Sequence, residues 1–187
     1  MKAFILSTAA AAAAALAIIP ASSANAAVQT FGGPLAQVCY NQAVAGDPRS
    51  FAIDGCTRAI EEEGLLAPDK AATYVNRGII YMSAGRFTLA DADFDSALKL
   101  NRNLADGWLN KGFLRLRQGN GREALPLIQK GIDAGAGDRA LAIFARGVAH
   151  EQMGDLQSAY ADLSRARDLQ PGWSLPRKYL ANYHLRQ

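Results

Sequence analysis

Residues 76–97 read NRGIIYMSAGRFTLADADFDSA, and the order of small and large residues in this stretch decides the fold. Ile79, Ile80 and Met82 precede Gly85, and Ala90, Phe94 and Ala97 follow it. Apolar positions at three- and four-residue spacing on both sides of a glycine predict two amphipathic helices joined by a tight turn. The same order returns twice further along. Gly78 is matched by Gly112, 34 residues on, and by Gly147, a further 35 on, and the turn glycine Gly85 by Gly119 and Gly154. Ala90 is matched by Ala124 and Ala159, Phe94 by Ile128 and Leu163, and Ala97 by Gly131 and Ala166. A repeating unit of this length predicts an array, because one helical hairpin cannot cover its own apolar face and must stack on a neighbour.

The pattern resembles the tetratricopeptide repeat, whose signature places W-x2-L-G-x2-Y ahead of A-x3-F and a closing proline. Trp108, Gly112, Tyr81, Phe94 and Pro171 stand on its named positions, while Arg102, Ala136 and Arg115 depart from it. The resemblance implies an all-α fold, a right-handed solenoid of tetratricopeptide helical hairpins with a C-terminal capping helix. Numbering each unit from its start, as in 71–104, 105–139 and 140–173, places the first glycine at the eighth slot. The alanine falls at the twentieth and the large apolar residue at the twenty-fourth. An opening unit over about 33–64 fits the same ruler, with Ala52, Cys56 and Ala59 on the second helix. Leu65 to Lys70 reads as an inserted loop. Residues 174–187 read as the capping helix, with Ser174 as its N-cap and Lys178, Asn182 and Arg186 on its polar face.

The chain starts Met1-Lys2, continues without charge from Ala3 to Ile19, breaks at Pro20 and reaches Ala24-Asn25-Ala26. Basic start, apolar run, breaker and A-x-A site predict a cleavable signal peptide over 1–26 and a repeat domain over 27–187. The expected location is the periplasm or the exterior, with no membrane insertion after cleavage. Arg outnumbers Lys, and alanine is abundant, which suits an exported bacterial member of the family. The formal net charge of +3 is too small to argue for nucleic acid.

Chemistry is sparse. His150 and His184 both fall on the eleventh slot, where Tyr81 would pack against the second helix, and neither has metal-spaced cysteines nearby. Asp91, Asp93 and Asp95 form D-x-D-x-D, but Ser96 and Arg102 stand where a calcium loop needs glycine and glutamate. Both this run and Glu61-Glu62-Glu63 read as solvated faces. No catalytic motif is present, so the expectation is a protein that is not an enzyme and takes no cofactor or metal. The two cysteines occupy the seventh and twenty-fourth slots of the opening unit. Facing positions in a hairpin have a constant slot sum, and Cys39 and Cys56 share the sum of Tyr81 and Ala90. They should face each other, and an oxidising compartment would join them.

The family resemblance turns attention to the concave surface, lined by the first helix of each hairpin. Asn76 and Asn110 share the sixth slot, and the resemblance implies that such amides grip the backbone of an extended peptide, one donor and one acceptor each. Val38 and Ala145 hold that slot in the other units. Met82, Phe113 and Phe144, with Ile79 and Leu109, are the apolar candidates beside them. The expected partner is therefore a protein or an extended peptide. An accessory or regulatory subunit docking on an envelope enzyme or assembly complex is the alternative use of the same fold.

Overall fold

A computed structural model describes residues 26–186 and, apart from them, residues 5–8; for 5–8 and 184–186 it describes the backbone alone. Its core is four antiparallel helical hairpins: α1 (Pro34–Ala45) with α2 (Ser50–Glu62), α3 (Ala67–Ser83) with α4 (Phe87–Leu100), α5 (Ala105–Arg117) with α6 (Gly121–Asp133), and α7 (Arg139–Gln152) with α8 (Leu156–Leu169). A short α9 (Ser174–Leu180) packs on α8. Each second helix touches the next hairpin's first helix. The first helices also touch one another in series, α1 with α3, α3 with α5 and α5 with α7. This is an all-α solenoid of repeated hairpins, with α1, α3, α5 and α7 along one face.

The repeat rests on a steric fit inside each hairpin. A Cβ added at Gly78 would lie 2.5 Å from Phe94 Cε1, and one added at Gly112 would lie 2.5 Å from Ile128 Cγ1. The eighth slot is thus empty because the twenty-fourth fills it from the facing helix. Phe94, Ile128 and Leu163 are completely buried there, forming the spine of one continuous core. The turns Gly85, Gly119 and Gly154 have φ of 74°, 75° and 80°, the left-handed region that glycine enters without Cβ strain. Asn120, Asp138 and Asp155 then start α6, α7 and α8 by accepting backbone N–H bonds from Glu123, Leu141 and Ser158.

Three details depart from the expected layout. Leu65 to Lys70 is not all loop: α3 begins at Ala67, with Pro68 in its first turn, where its missing N–H costs nothing. The closing helix stops at Leu180 instead of running through 174–187. Tyr183–Arg186 instead forms β2, paired antiparallel with β1 (Ile5–Thr8), Ile5 opposite Arg186 and Thr8 opposite Tyr183. The rest of the expected leader, residues 1–4 and 9–25, lies outside the described residues. Among the described residues no helix is long and apolar enough to cross a membrane.

The acidic runs are also more engaged than a solvated face. Asp93 is buried and accepts two 2.8 Å hydrogen bonds from the Arg77 guanidinium across the hairpin. Arg146 and Asp162 repeat that fork in the last unit at the same separation. Leu127 holds the matching acidic slot in the middle unit, and Lys111 reaches the preceding hairpin instead, pairing with Asp91 and Asp95. Arg115 joins Asp91 at 2.7 Å. Burial opposes ionisation of Asp91, but the hydrogen bonds from Arg115 and Lys111 outweigh it and hold its pKa below the ordinary value. Glu63 caps α1: its carboxylate accepts the N–H groups of Leu35 at 2.6 Å and Ala36 at 2.9 Å, which Gly33 has no side chain to serve.

Candidate functional site

Asn76 on α3 and Asn110 on α5 lie on the face lined by the first helices, one repeat apart, and both are fully buried. What covers them is the chain itself. Residues 26–30 cross the face without regular secondary structure. The Val28 N–H donates to Asn76 Oδ1 at 2.8 Å, and Asn76 Nδ2 donates to the Val28 carbonyl at 2.7 Å. Asn110 Nδ2 donates to the Ala26 carbonyl at 2.9 Å and to the Asp106 carbonyl at 2.8 Å. In extended chain, residues i and i+2 present their backbone groups on the same edge. One repeat along the solenoid therefore corresponds to two residues along the strap, and Ala26 lies toward the later repeats.

The strap is anchored at its other end too. The Phe31 N–H donates to Asp69 Oδ1 at 2.9 Å, and Thr30 is completely buried. Gly32 passes so close to the α2–α3 connection that an added Cβ would lie 2.6 Å from Leu65 Cδ2. At Gly33 an added Cβ would meet Glu63 Cδ at 2.6 Å. The contacts to Asn110 are less complete than those to Asn76. Asn110 Oδ1 is buried and has no hydrogen-bond partner among the described residues.

Met82, Phe113 and Phe144 lie in the core, with exposures of 0%, 1% and 0%, so they offer no free surface to a peptide in this state. Ile79 and Leu109 are buried with them. Phe144 is closed off by edge contacts with Trp173 and Tyr179, whose ring centroids lie 4.9 and 5.0 Å away. The helical stripe that suggested a groove lining is instead part of the continuous buried core. The cysteines do face each other as the slot sum requires, with Cα atoms 4.8 Å apart and sulfurs at bonding distance, 2.09 Å. His150 packs onto its own hairpin, with Nδ1 3.4 Å from Asp155 Oδ2. His184 falls in β2, and its side chain lies outside the description. Among the described residues no group of three or more His, Cys, Asp or Glu side chains is placed to hold a metal.

The strap escaped sequence reading because nothing in Ala26-Ala27-Val28-Gln29-Thr30 encodes a backbone contact. Gly32-Gly33 was the one available signal, two adjacent residues without side chains at a close passage.

Comparison with known proteins agrees with the repeat. Residues 71–104 match the family model described as tetratricopeptide repeat. The small glutamine-rich tetratricopeptide repeat-containing protein 2 of Saccharomyces cerevisiae is 31% identical over 100 residues, 54% of this chain and 28% of that protein. The chain thus matches little more than a quarter of that relative's length. Among solved structures, MamA 41-end from Desulfovibrio magneticus RS-1 superposes with a TM-score of 0.62 at 23% identity, covering 80% of this chain and 84% of that one. The Arabidopsis OM64 TPR domain gives 0.58 at 19% identity over 62% and 95%. These likenesses concern the fold. Residues 71–104 thus match a tetratricopeptide repeat, and the chain shares the all-α helical-repeat solenoid fold of these structures.

Proposed function

We propose that this protein is an exported interaction module, not an enzyme, whose repeat face holds an extended segment of a partner protein by its backbone. One observation carries the reading: the Asn76 amide engages both polar groups of a single residue, Val28, at 2.8 and 2.7 Å. A donor and an acceptor on one planar amide match the N–H and C=O edge of extended chain whatever its side chains are. Binding of this kind is tolerant of sequence, and apolar pockets play a minor part because Met82, Phe113 and Phe144 are committed to the core. Export is supported by the residue pattern of 1–26, and the facing cysteines suit an oxidising compartment, where we propose that they are joined.

The test is selection of random linear peptides on the purified protein, with binding of the selected peptides remeasured on Asn76→Ala and Asn110→Ala. Each lost amide leaves a peptide group unpaired and should cost about 1–3 kcal/mol, roughly five- to 150-fold in affinity. Peptides that bind both variants as tightly as wild type would refute the groove. N-terminal sequencing of the protein from its native cell checks export, with Ala27 expected as the first residue and an intact Met1 in a membrane fraction as the refuting result.

A further inference from the structure

We propose that residues 26–30 are an intramolecular ligand of the repeat face, which a partner peptide must displace before it can bind. This rests on the peptide-binding reading and adds regulation to it. The strap meets the requirements of a ligand: it is extended, it uses backbone groups only at the two asparagines, and it advances two residues per repeat. It is also an incomplete ligand. It satisfies both groups of Asn76 but only the donor of Asn110, whose Oδ1 stays buried and unpartnered among the described residues. A peptide whose N–H reaches Asn110 Oδ1 makes a bond the strap does not, and so has the means to replace it.

The strap's advantage is its tether. Only a few residues separate Thr30 from α1, and a short tether presents its ligand at an effective concentration on the order of 1 mM. A strap with an intrinsic dissociation constant near 0.1 mM would then leave the face open for about one molecule in ten, weakening a competitor's apparent affinity about tenfold. Removal of residues 1–26 on export would take away the Ala26 carbonyl and leave Asn110 only its bond to the Asp106 carbonyl, while Val28 stays on Asn76. Processing would loosen the strap from one end without releasing it.

The probe is the acetylated, amidated peptide Ala-Ala-Val-Gln-Thr-Phe, the sequence of residues 26–31, added to purified wild-type protein and to Val28→Pro. Proline at 28 deletes the N–H held by Asn76 and changes no fully buried residue, since Val28 is only partly buried against the core. Isothermal calorimetry should show Val28→Pro binding the peptide about tenfold more tightly than wild type, with the gain lost in Val28→Pro/Asn76→Ala. Amide hydrogen exchange should show Val28 protected in wild type. Equal affinity in wild type and Val28→Pro, no binding by Val28→Pro, or an unprotected Val28 amide overturns the proposal. Failure of the function proposed above looks different: Val28→Pro would bind the strap peptide while random selection yields no other ligand.

Discussion

Replacing Gly78 with alanine should destabilise the protein, although the same change is ordinarily favourable inside a helix. Gly78 lies in α3, where alanine would contribute about 1 kcal/mol through helix propensity. Its Cβ, however, would stand 2.5, 2.9 and 3.1 Å from Cε1, Cδ1 and Cζ of Phe94, against a comfortable carbon–carbon distance of about 3.5–4 Å. Three atoms of one ring are too close, so turning the ring does not clear the clash. Phe94 is completely buried and cannot retreat. Overpacking of this kind costs about 1–3 kcal/mol, and at a closed site near the upper end the net loss is about 1–2 kcal/mol. For a domain of this size that lowers the melting temperature by roughly 2–8 °C. Phe94→Ala alone opens a cavity and costs about 3–5 kcal/mol. Adding Gly78→Ala to that variant should reverse sign, because the ring is gone: propensity and a newly buried methyl return about 1–2 kcal/mol. Gly55, inside α2 with nothing within 4 Å of an added Cβ, is the control, and Gly55→Ala should stabilise by about 0.5–1 kcal/mol. Urea unfolding followed by helical circular dichroism measures all four variants. If Gly78→Ala stabilises as Gly55→Ala does, or costs the same with and without Phe94, then the eighth and twenty-fourth slots are not a fitted pair.

Joining Cys39 and Cys56 closes a 17-residue separation and should stabilise the opening hairpin by roughly 3 kcal/mol, read as the drop in melting temperature on adding reductant. Alkylation without reductant, followed by mass spectrometry, should find no free thiol, and two labelled cysteines in native material would refute the bond. The Asp91 ion pairs carry a pH signature. A carboxylate whose folded pKa is depressed stabilises fully above its unfolded value, about 3.9, and loses that contribution as pH falls through the folded value. Asp91→Asn should therefore cost about 1 kcal/mol near pH 7, less in high salt, with the gap from wild type closing as the pH is taken below 3. A gap that stays constant from pH 7 to pH 2 would show that the carboxylate charge contributes nothing.

The repeat was legible in the residues because packing inside a hairpin is local. Gly78 and Phe94 are sixteen residues apart, the fold requires one to be empty where the other is full, and three units state that rule in phase. The same locality made the Cys39–Cys56 approach computable from slot numbers, since a turn at Gly46 fixes which positions face. The fork from Arg77 to Asp93, repeated by Arg146 and Asp162, was equally present as a fixed spacing, yet Asp93 looks like any surface carboxylate until the hairpin closes over it. Which apolar residues of the first helices are exposed was another matter. Met82, Phe113 and Phe144 lie on helical stripes that serve equally as groove or as core, and only the approach of neighbouring elements, Trp173 and Tyr179 among them, assigns them to the core. The occupant of Asn76 and Asn110 belongs wholly to the tertiary structure. Backbone groups recognise backbone groups, every residue carries the same ones, and so no letter in residues 26–30 marks the segment that bonds 48 and 84 positions away.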